Sequence, residues 1–405
     1  MQNSPQKHPM GLYAEQITGS AFTAPRAENF KTWVYRIRPS VQHGVFEKSP
    51  NVALLWQSDF SNEDLDPNQL RWDSAATLKF SGDFLSGVRT VVGAGSPAEQ
   101  RGASLGWYGM NQSMKNSAFY SADGELLLLP QNGNLLIRTE LGDLNVEPGE
   151  IVCVPRGFRV QINPQGSSAF GYYCENYGSP FKLPELGPIG ANGLANPRHF
   201  ESPVARFEKN DDSWKIISKM NGKFFTGSMN GSPFDVVGWS GNYAPYKYDL
   251  RKFNTINTVS FDHPDPSIFT VLTAPSETPG CPHMDFVIFP PRWMVAEKTF
   301  RPPYFHRNVM SEWMGLIFGS YDAKADGFSP GGASLHNCMS GHGPDRDVYE
   351  AAIQAALKPE KIDSTLAFMF ESRYAWIPSR WALEKSGLLQ KNYQQCWESL
   401  KPASF

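Results

Sequence analysis

Short apolar runs separated by turn signals constrain the fold of this chain more than any other feature. The runs lie at residues 125–130, 135–139, 144–146 and 151–155. The turns between them are Gln131-Asn-Gly-Asn134, Leu141-Gly-Asp143 and Glu147-Pro-Gly-Glu150. Strands at such close and regular spacing are typical of a β-sandwich or a jelly roll. The sequence therefore predicts a mostly β fold rather than a helical bundle.

Length and composition extend this prediction to two domains. A chain of 405 residues is long enough for two cores. Its 35 Gly and 32 Pro favour many short strands joined by turns. Pro148-Gly149, a strand and then Pro155-Arg-Gly157 follow the rhythm of a cupin barrel, and no histidine lies between His43 and His199. We expect a two-domain, bicupin-like fold, with a metal-free β-sandwich at 1–250 and a jelly-roll catalytic domain at 251–405.

Several segments carry more local predictions. Acids and amides around a proline predict a surface loop at 57–72. Strands are expected at 286–291 and 313–319, and helices at 345–357 and 380–398.

Charge and cysteine content exclude some classes of function. A net charge of −3 and a pI near 6.3 do not predict binding to nucleic acid or to an anionic membrane. No apolar run is long enough to span a membrane. The 5 cysteines are widely spaced and form no CxxC, which indicates reduced thiols. We expect a cytoplasmic protein without a nucleic-acid or membrane partner.

The histidines predict a metal site in the second half of the chain. His306 and Glu312 are six residues apart. On one β-strand they would point to the same face, whereas on a helix they would diverge by about 120°. His336 and His342 follow, and either could supply a third ligand. Two histidines, one carboxylate and open positions describe a non-haem Fe(II) site for oxygen chemistry.

Spacing alone leaves the third ligand undecided. Glycines on both sides of His342 favour a loop that could pass close to a metal. His263, ringed by turn residues, is either a catalytic residue oriented by Asp262 or Asp265, or a turn cap. His283 lies in a Gly/Pro-rich segment and is expected at the surface.

Long stretches of the chain resemble the homogentisate 1,2-dioxygenase family. The matching stretches are Leu12-Tyr-Ala-Glu-Gln16, Gly19-Ser-Ala-Phe-Thr-Ala-Pro25, Asp66-Pro-Asn-Gln-Leu-Arg-Trp72, Leu186-Gly-Pro-Ile-Gly-Ala-Asn-Gly-Leu-Ala-Asn-Pro-Arg198, Gly241-Asn-Tyr-Ala-Pro-Tyr-Lys-Tyr248, Phe261-Asp-His-Pro-Asp-Pro-Ser-Ile-Phe-Thr-Val-Leu-Thr273, Arg301-Pro-Pro-Tyr-Phe-His-Arg-Asn308 and Phe368-Met-Phe-Glu-Ser372. Matches of this length, spread almost end to end, are far more specific than a ligand triplet.

The resemblance implies an activity and a role for each site residue. It implies an Fe(II) enzyme that opens the ring of homogentisate with O₂, giving 4-maleylacetoacetate in tyrosine and phenylalanine catabolism. Fe(II) would be held by His306, Glu312 and His342 and chelated by the phenolate and carboxylate of the substrate. His263 would be the acid/base residue, while Tyr321, His336 and His342 would contact the substrate. The implied assembly is a homo-hexamer, a dimer of trimers.

The sequence also departs from the family pattern. The family's usual Ser-Gly-Phe-Gly-Asn stretch has no counterpart before Gly11-Leu-Tyr13, so closure over the substrate or subunit contacts are expected to differ. Cys281-Pro-His-Met284 replaces a more apolar loop. Two alternatives follow: a paralogous iron dioxygenase of a related hydroquinone, or a non-enzymatic cupin that stores or binds a ligand.

Overall fold

Strands dominate the chain, as its apolar runs and turn signals predict. The computed structural model describes residues 9–185, 187–190, 192–256, 269–293, 304–321, 323–324, 326–356 and 358–405. In these ranges the α-helices α1 (Phe84–Gly87) and α2 (Arg346–Gln354) are short. No helix of the described residues is long and apolar enough to cross a membrane. The expectation of a mostly β fold is confirmed.

The strands fall into two groups along the chain. The first group comprises β1 (Tyr13–Thr18), β2 (Lys31–Arg36), β3 (Glu47–Lys48), β4 (Leu70–Trp72), β5 (Val88–Ser96), β6 (Arg101–Met110), β7 (Ser117–Ser121), β8 (Glu125–Thr139), β9 (Gly142–Val146), β10 (Glu150–Val154), β11 (Val160–Asn176), β12 (Phe200–Glu201), β13 (Ser213–Met220), β14 (Lys223–Asn230), β15 (Val236–Gly241) and β16 (Tyr246–Asp249). The second comprises β17 (Thr270–Ala274), β18 (Met284–Phe289), β19 (Arg292–Trp293), β20 (Ser311–Phe318), β21 (Ala333–His336), β22 (Lys361–Ile362), β23 (Leu366–Ser372) and β24 (Ile377–Pro378).

Two large sheets organise these strands. The first runs in the order β12-β16-β10-β8-β11-β7-β13-β14-β3, and β5, β6, β9 and β24 join it. The second has six strands in the order β17-β18-β23-β20-β21-β4. Its central strands β20 and β23 are buried along nearly their whole length, so both of their faces are covered. A smaller sheet, β1-β2-β15, packs against the first, with Val34 and Val236 in the same apolar cluster as Leu135.

Each large sheet contains a strand from the other half of the chain. In the six-stranded sheet, β4 pairs with β21 through Leu70 opposite Leu335. In the first sheet, β24 pairs with β5 through Ile377 opposite Gly93. The two halves are therefore joined by backbone hydrogen bonds as well as by side-chain packing.

One apolar core runs between the two large sheets. Tyr172 of β11 packs its ring edge-on against Phe368 of β23, with ring centroids 4.8 Å apart. Its hydroxyl donates to the carbonyl oxygens of Gly332 at 2.8 Å and Leu316 at 3.1 Å. Gly315 permits this approach, because a Cβ there would lie 2.4 Å from the Phe368 ring. This shared core, defined here as the inter-sheet core, buries residues of both halves.

One expected turn is wrong. Gln131-Asn-Gly-Asn134 does not separate two strands but lies inside the 15-residue strand β8. Gly133 adopts φ +77, and the register of β8 against β11 shifts between Gln165 and Phe170. A bulge absorbs the polar residues without ending the strand.

The local predictions outside the barrel strands have mixed outcomes. Strands β18 and β20 confirm those expected at 286–291 and 313–319, and α2 confirms the helix at 345–357. The surface loop predicted at 57–72 is wrong at its end, because β4 is buried. The helix predicted at 380–398 is also wrong. Gly387, at φ +70, separates one turn at Trp381–Lys385 from another at Tyr393–Cys396.

Candidate metal centre

Neighbouring strands of the six-stranded sheet place Glu312 opposite His336. Glu312 lies on β20, His336 lies on β21, and the two residues are direct partners in the antiparallel register. Both side chains are buried. Since directly paired residues on adjacent strands point to the same face of a sheet, this register brings the carboxylate and the imidazole together.

His306 and His342 reach the same place on a separate bridge. The backbone N–H of His306 donates to the carbonyl of His342 at 2.9 Å, and the reciprocal bond is 3.1 Å. His306 lies before β20 begins at Ser311, so the expectation of one continuous strand from His306 to Glu312 is wrong. The two residues meet because the chain turns between them and His306 pairs with the His342 segment.

The bridge and the strand together create a compact set of ligand atoms. His306 Nε2 lies 3.4 Å from Glu312 Oε1, and His342 Nε2 lies 3.0 Å from Glu312 Oε2. One ligand atom from each of the three residues lies within 4.8 Å of the other two. Two imidazoles and one carboxylate arranged in this way suit a divalent metal with open positions.

Backbone contacts fix which nitrogen of His342 faces the carboxylate. His342 Nδ1 lies 2.9 Å from the carbonyl oxygen of Ser340. A carbonyl only accepts, so Nδ1 carries the hydrogen and Nε2 of the neutral ring directs its lone pair at Glu312. Two acceptors so close require a proton or a metal cation between them. The donor set therefore fits a metal ion.

Asn308 holds the carboxylate from the other side, a contact that sequence reasoning missed. Its Nδ2 donates to Glu312 Oε1 at 2.7 Å, and its Oδ1 accepts from the backbone N–H of Met310 at 2.6 Å. The sequence does carry a signal for this contact, because Asn308 lies between the candidate ligands His306 and Glu312. Such outer contacts orient metal ligands and adjust their basicity.

Electrostatics favour an ionised carboxylate. Burial alone would raise the pKa of Glu312, but contacts with His306, His336 and His342 hold it well below its usual range. The hydrogen bond to Glu312 raises the pKa of His306. Burial lowers the pKa of His336 to about 4, so this ring is neutral near pH 7.

His336 occupies a second position beside the three clustered ligand atoms. Its Nδ1 is 3.8 Å from Glu312 Oε2, and its ring stacks on that of His342 at 4.2 Å. Its Nε2 is 2.9 Å from the hydroxyl of Tyr393. The structure thus brings His342, rather than His336, into the three-residue cluster and leaves His336 against it.

A pocket opens onto these residues and encloses about 540 Å³, part of it open solvent. Tyr321 lines it, along with apolar side chains of Met314 and Phe328. Arg71 and Lys324 also line it. Sequence reasoning assigned neither cation to the site, although Arg71 lies in the matched stretch Asp66–Trp72. Pockets of this size with an apolar lining and few polar groups suit small ligands.

The predictions for His263 and His283 are not confirmed by the structure. His263 lies outside the described residues, so its predicted role stays a prediction. The expectation that His283 is a surface residue is wrong, since it is 3% exposed and its Nε2 is 3.0 Å from the carbonyl oxygen of Gly102. Burial lowers the pKa of His283. The Gly/Pro-rich surroundings misled the prediction, because this loop packs between the two halves.

Two family models match the chain in succession. The model described as homogentisate 1,2-dioxygenase N-terminal matches residues 1–250, and the model described as homogentisate 1,2-dioxygenase C-terminal matches residues 251–404. Together they account for nearly the whole chain, in agreement with a two-part, bicupin-like layout.

Solved structures resemble the chain only distantly. A protein from Pseudomonas syringae pv. tomato is 12% identical, covering 76% of this chain and 99% of its own, with a TM-score of 0.29. The protein Ylba from E. coli is 10% identical, covering 79% and 96%, with a TM-score of 0.31. An oxalate decarboxylase is 11% identical, covering 79% and 81%, with a TM-score of 0.32.

Proposed function

The chain belongs to the homogentisate 1,2-dioxygenase family, and from that premise we propose how its own residues carry out the reaction. The family's activity makes it an enzyme that takes a small aromatic substrate and O₂ and depends on a metal. We infer that the metal is Fe(II) and that His306, Glu312 and His342 hold it. The observation that carries this is the clustering of their ligand atoms within 4.8 Å.

When bound by His306, Glu312 and His342, the ion would supply redox chemistry between substrate and O₂. Around it, Asn308 keeps the carboxylate oriented through its bond to Oε1. Tyr321 orients the aromatic ring from the pocket wall. The neutral ring of His336 lines the site without adding charge. Apolar side chains such as Phe328 exclude water, which strengthens the polar contacts inside.

Proton transfer falls to His263 in this proposal. An imidazole titrates near neutrality, so it can take a proton from the distal ring hydroxyl and later return it. The product would be 4-maleylacetoacetate. The assignment rests on the Phe261-Asp-His263 stretch of the sequence.

We place the catalytic site in a domain at 251–405 and a metal-free domain at 1–250. The matching of the two family models at residues 250 and 251 supports this division. All 5 cysteines are free, which supports a cytoplasmic setting. A homo-hexamer is the assembly we propose from the family pattern.

The test is oxygen uptake by the Fe(II)-loaded protein with homogentisate, together with the ultraviolet absorbance of the product. We expect uptake equal to substrate consumed, abolished in His342→Ala. Glu312→Gln should lose iron, whereas His263→Ala should keep iron and lose turnover. Iron binding without uptake would favour a paralogue for another hydroquinone. Absence of both would favour a binding protein.

A further inference from the structure

Two cationic side chains line the pocket without a role in the reaction described so far. Lys324 follows Tyr321 along the chain, and Arg71 lies on β4 from the other half. Among the residues that the structure describes, neither forms an ion pair with a carboxylate. A pocket that concentrates positive charge in this way is suited to an anionic ligand.

The ammonium group of Lys324 is largely buried and has few polar partners. Its Nζ donates to the carbonyl oxygen of Gly343 at 2.7 Å and lies 4.6 Å from the centre of the Trp397 ring. Burial lowers the pKa of Lys324 to about 8, an effect that Cys396 and Asp345 partly offset and the neighbouring Arg71 reinforces. Asp345 itself caps α2 by accepting from Val348. A buried ammonium with such limited compensation gains most from an anion that enters the pocket.

Arg71 approaches from the opposite half of the molecule. Its Nε donates to Gln390 Oε1 at 2.5 Å, and one terminal nitrogen donates to the carbonyl of Asp326 at 3.3 Å. The guanidinium carbon lies 4.2 Å from the centre of the Tyr393 ring. These two bonds occupy part of its five N–H donors, and the fork geometry of the remainder matches a carboxylate.

Tyr393 links the cations to the metal centre. Its ring contacts Arg71 and lies 5.6 Å from the Lys324 Nζ. Its hydroxyl meets His336, which stacks on His342. The pocket therefore has a metal-binding end and a cationic end, and Tyr393 contacts both.

We propose that Lys324 and Arg71 form an anion subsite that holds the carboxylate of a carboxymethyl-substituted hydroquinone. The proposal rests on the function proposed above and deepens it. In the chelate that the family resemblance implies, the substrate carboxylate binds the metal. In this proposal it binds two side chains of the protein instead. The cations then select acidic hydroquinones over neutral ones.

The first test is calorimetric titration of the metal-free protein with phenylacetate and with phenylacetamide. Phenylacetate carries the carboxymethyl group but no ring hydroxyl, so its binding reports the subsite without metal or turnover. Lys324→Met should weaken phenylacetate binding about 10- to 100-fold, the range for a charge-assisted hydrogen bond. Phenylacetamide binding should not change, and Lys324→Arg should restore most of the affinity.

Lys385→Met is the matched control, because Lys385 is exposed and is not part of the pocket lining. Equal losses for phenylacetate and phenylacetamide would mean that Lys324 only supports the pocket wall, and would overturn the proposal. Unchanged phenylacetate binding in Lys324→Met, or no binding to the unaltered protein, would overturn it as well.

Failure of the subsite and failure of the proposed function are distinguishable. In the Fe(II)-loaded enzyme, Lys324→Met should raise KM for homogentisate while leaving KM for methylhydroquinone unchanged. Selective phenylacetate binding with no oxygen uptake would keep the subsite and reject the reaction. If the enzyme takes up oxygen but Lys324→Met weakens phenylacetate and phenylacetamide binding equally, the proposed reaction would stand and the subsite would be rejected.

Discussion

At the scale of single residues, the candidate centre depends on side chains that hold the ligands as well as on the ligands. Glu312 contacts three imidazoles and one amide, and the amide of Asn308 makes the shortest of these contacts at 2.7 Å. The carbonyl of Ser340 sets the tautomer of His342. These contacts determine the direction of the lone pairs before any metal arrives.

Replacing Asn308 should therefore weaken metal binding without removing a ligand. In Asn308→Ala, the buried Glu312 loses its strongest neutral donor, and we expect Fe(II) affinity to fall about 10- to 100-fold. Competition with a chromophoric chelator measures this. Asn392→Ala is the control, because Asn392 is exposed and its side chain caps no helix. An unchanged affinity in Asn308→Ala would show that Glu312 is positioned by its strand alone.

Residue identities in the site were predictable, but their geometry was not. The pattern of His306, Glu312 and a later histidine predicted a metal set from residue types and spacing. The assumption of a single strand failed because the partner of His306 is His342, 36 residues along the chain. Spacing describes only local geometry, whereas pairing between distant segments is decided by the whole sheet.

At the scale of elements, β4 is the edge strand of the six-stranded sheet that carries Glu312 and His336. It follows a polar segment, pairs with β21, and carries Arg71 into the pocket. Trp72 is fully buried, and its Nε1 donates to the carbonyl of Ala382 at 3.0 Å. This strand thus fixes β21, and with it His336, from the outer edge of the sheet.

Truncation of Trp72 should destabilise the protein strongly. Trp72→Ala removes a buried indole and a buried hydrogen bond, so we expect a loss of about 3–5 kcal/mol in the free energy of unfolding. Denaturant titration measures it. Trp293→Ala, at a tryptophan that is 53% exposed, should change the same quantity by about 0.5 kcal/mol or less. Similar losses in the two variants would rule out the role assigned to β4.

Elements with a continuous apolar signal were predictable, and elements without one were not. Strand β20 and helix α2 were expected because an apolar run and an acidic start are visible locally. Strand β4 has only three residues. The acids and amides that precede it make the local sequence pattern predict a loop. Its identity depends on a partner more than 250 residues away, which no local pattern encodes.

At the scale of the whole molecule, the two halves share one inter-sheet core. Tyr172 joins the sheets through two hydrogen bonds and a ring contact, and the strands β4 and β24 are exchanged between the halves. Domains with separate cores unfold separately, whereas a shared core couples them. The division at residue 250 is therefore a boundary in sequence more than in packing.

This coupling makes global stability sensitive to one buried carboxyl group. Burial raises the pKa of Glu125 from 4.5 to about 7, although it accepts bonds from Phe181 and Asn176. Between these values the folded state holds a proton that the unfolded state has released. The stabilisation is thus complete below about pH 4.5 and is lost as the pH rises through about 7.

We expect the free energy of unfolding to fall by about 3 kcal/mol from this group between pH 4.5 and pH 8. Glu125→Gln should remove that part of the pH dependence. Scanning calorimetry across this pH range measures it and should show a single transition. A second transition would separate the halves, and an unchanged pH profile in Glu125→Gln would place the titration elsewhere. Glu277→Gln, at an exposed carboxylate, is the control.

The exchange of strands also sets an order of events on the ribosome. Trp72 and Arg71 leave the exit tunnel long before β21 is translated, and Tyr393 is made after the last of the three candidate ligands, His342. The contact of Tyr393 with His336 therefore forms after all three candidate ligands have been translated, so the surroundings of the centre are completed later than its ligand set. A premature stop codon between the codons for His342 and Tyr393 would keep all three ligands but remove Tyr393, and should be as harmful as loss of a ligand.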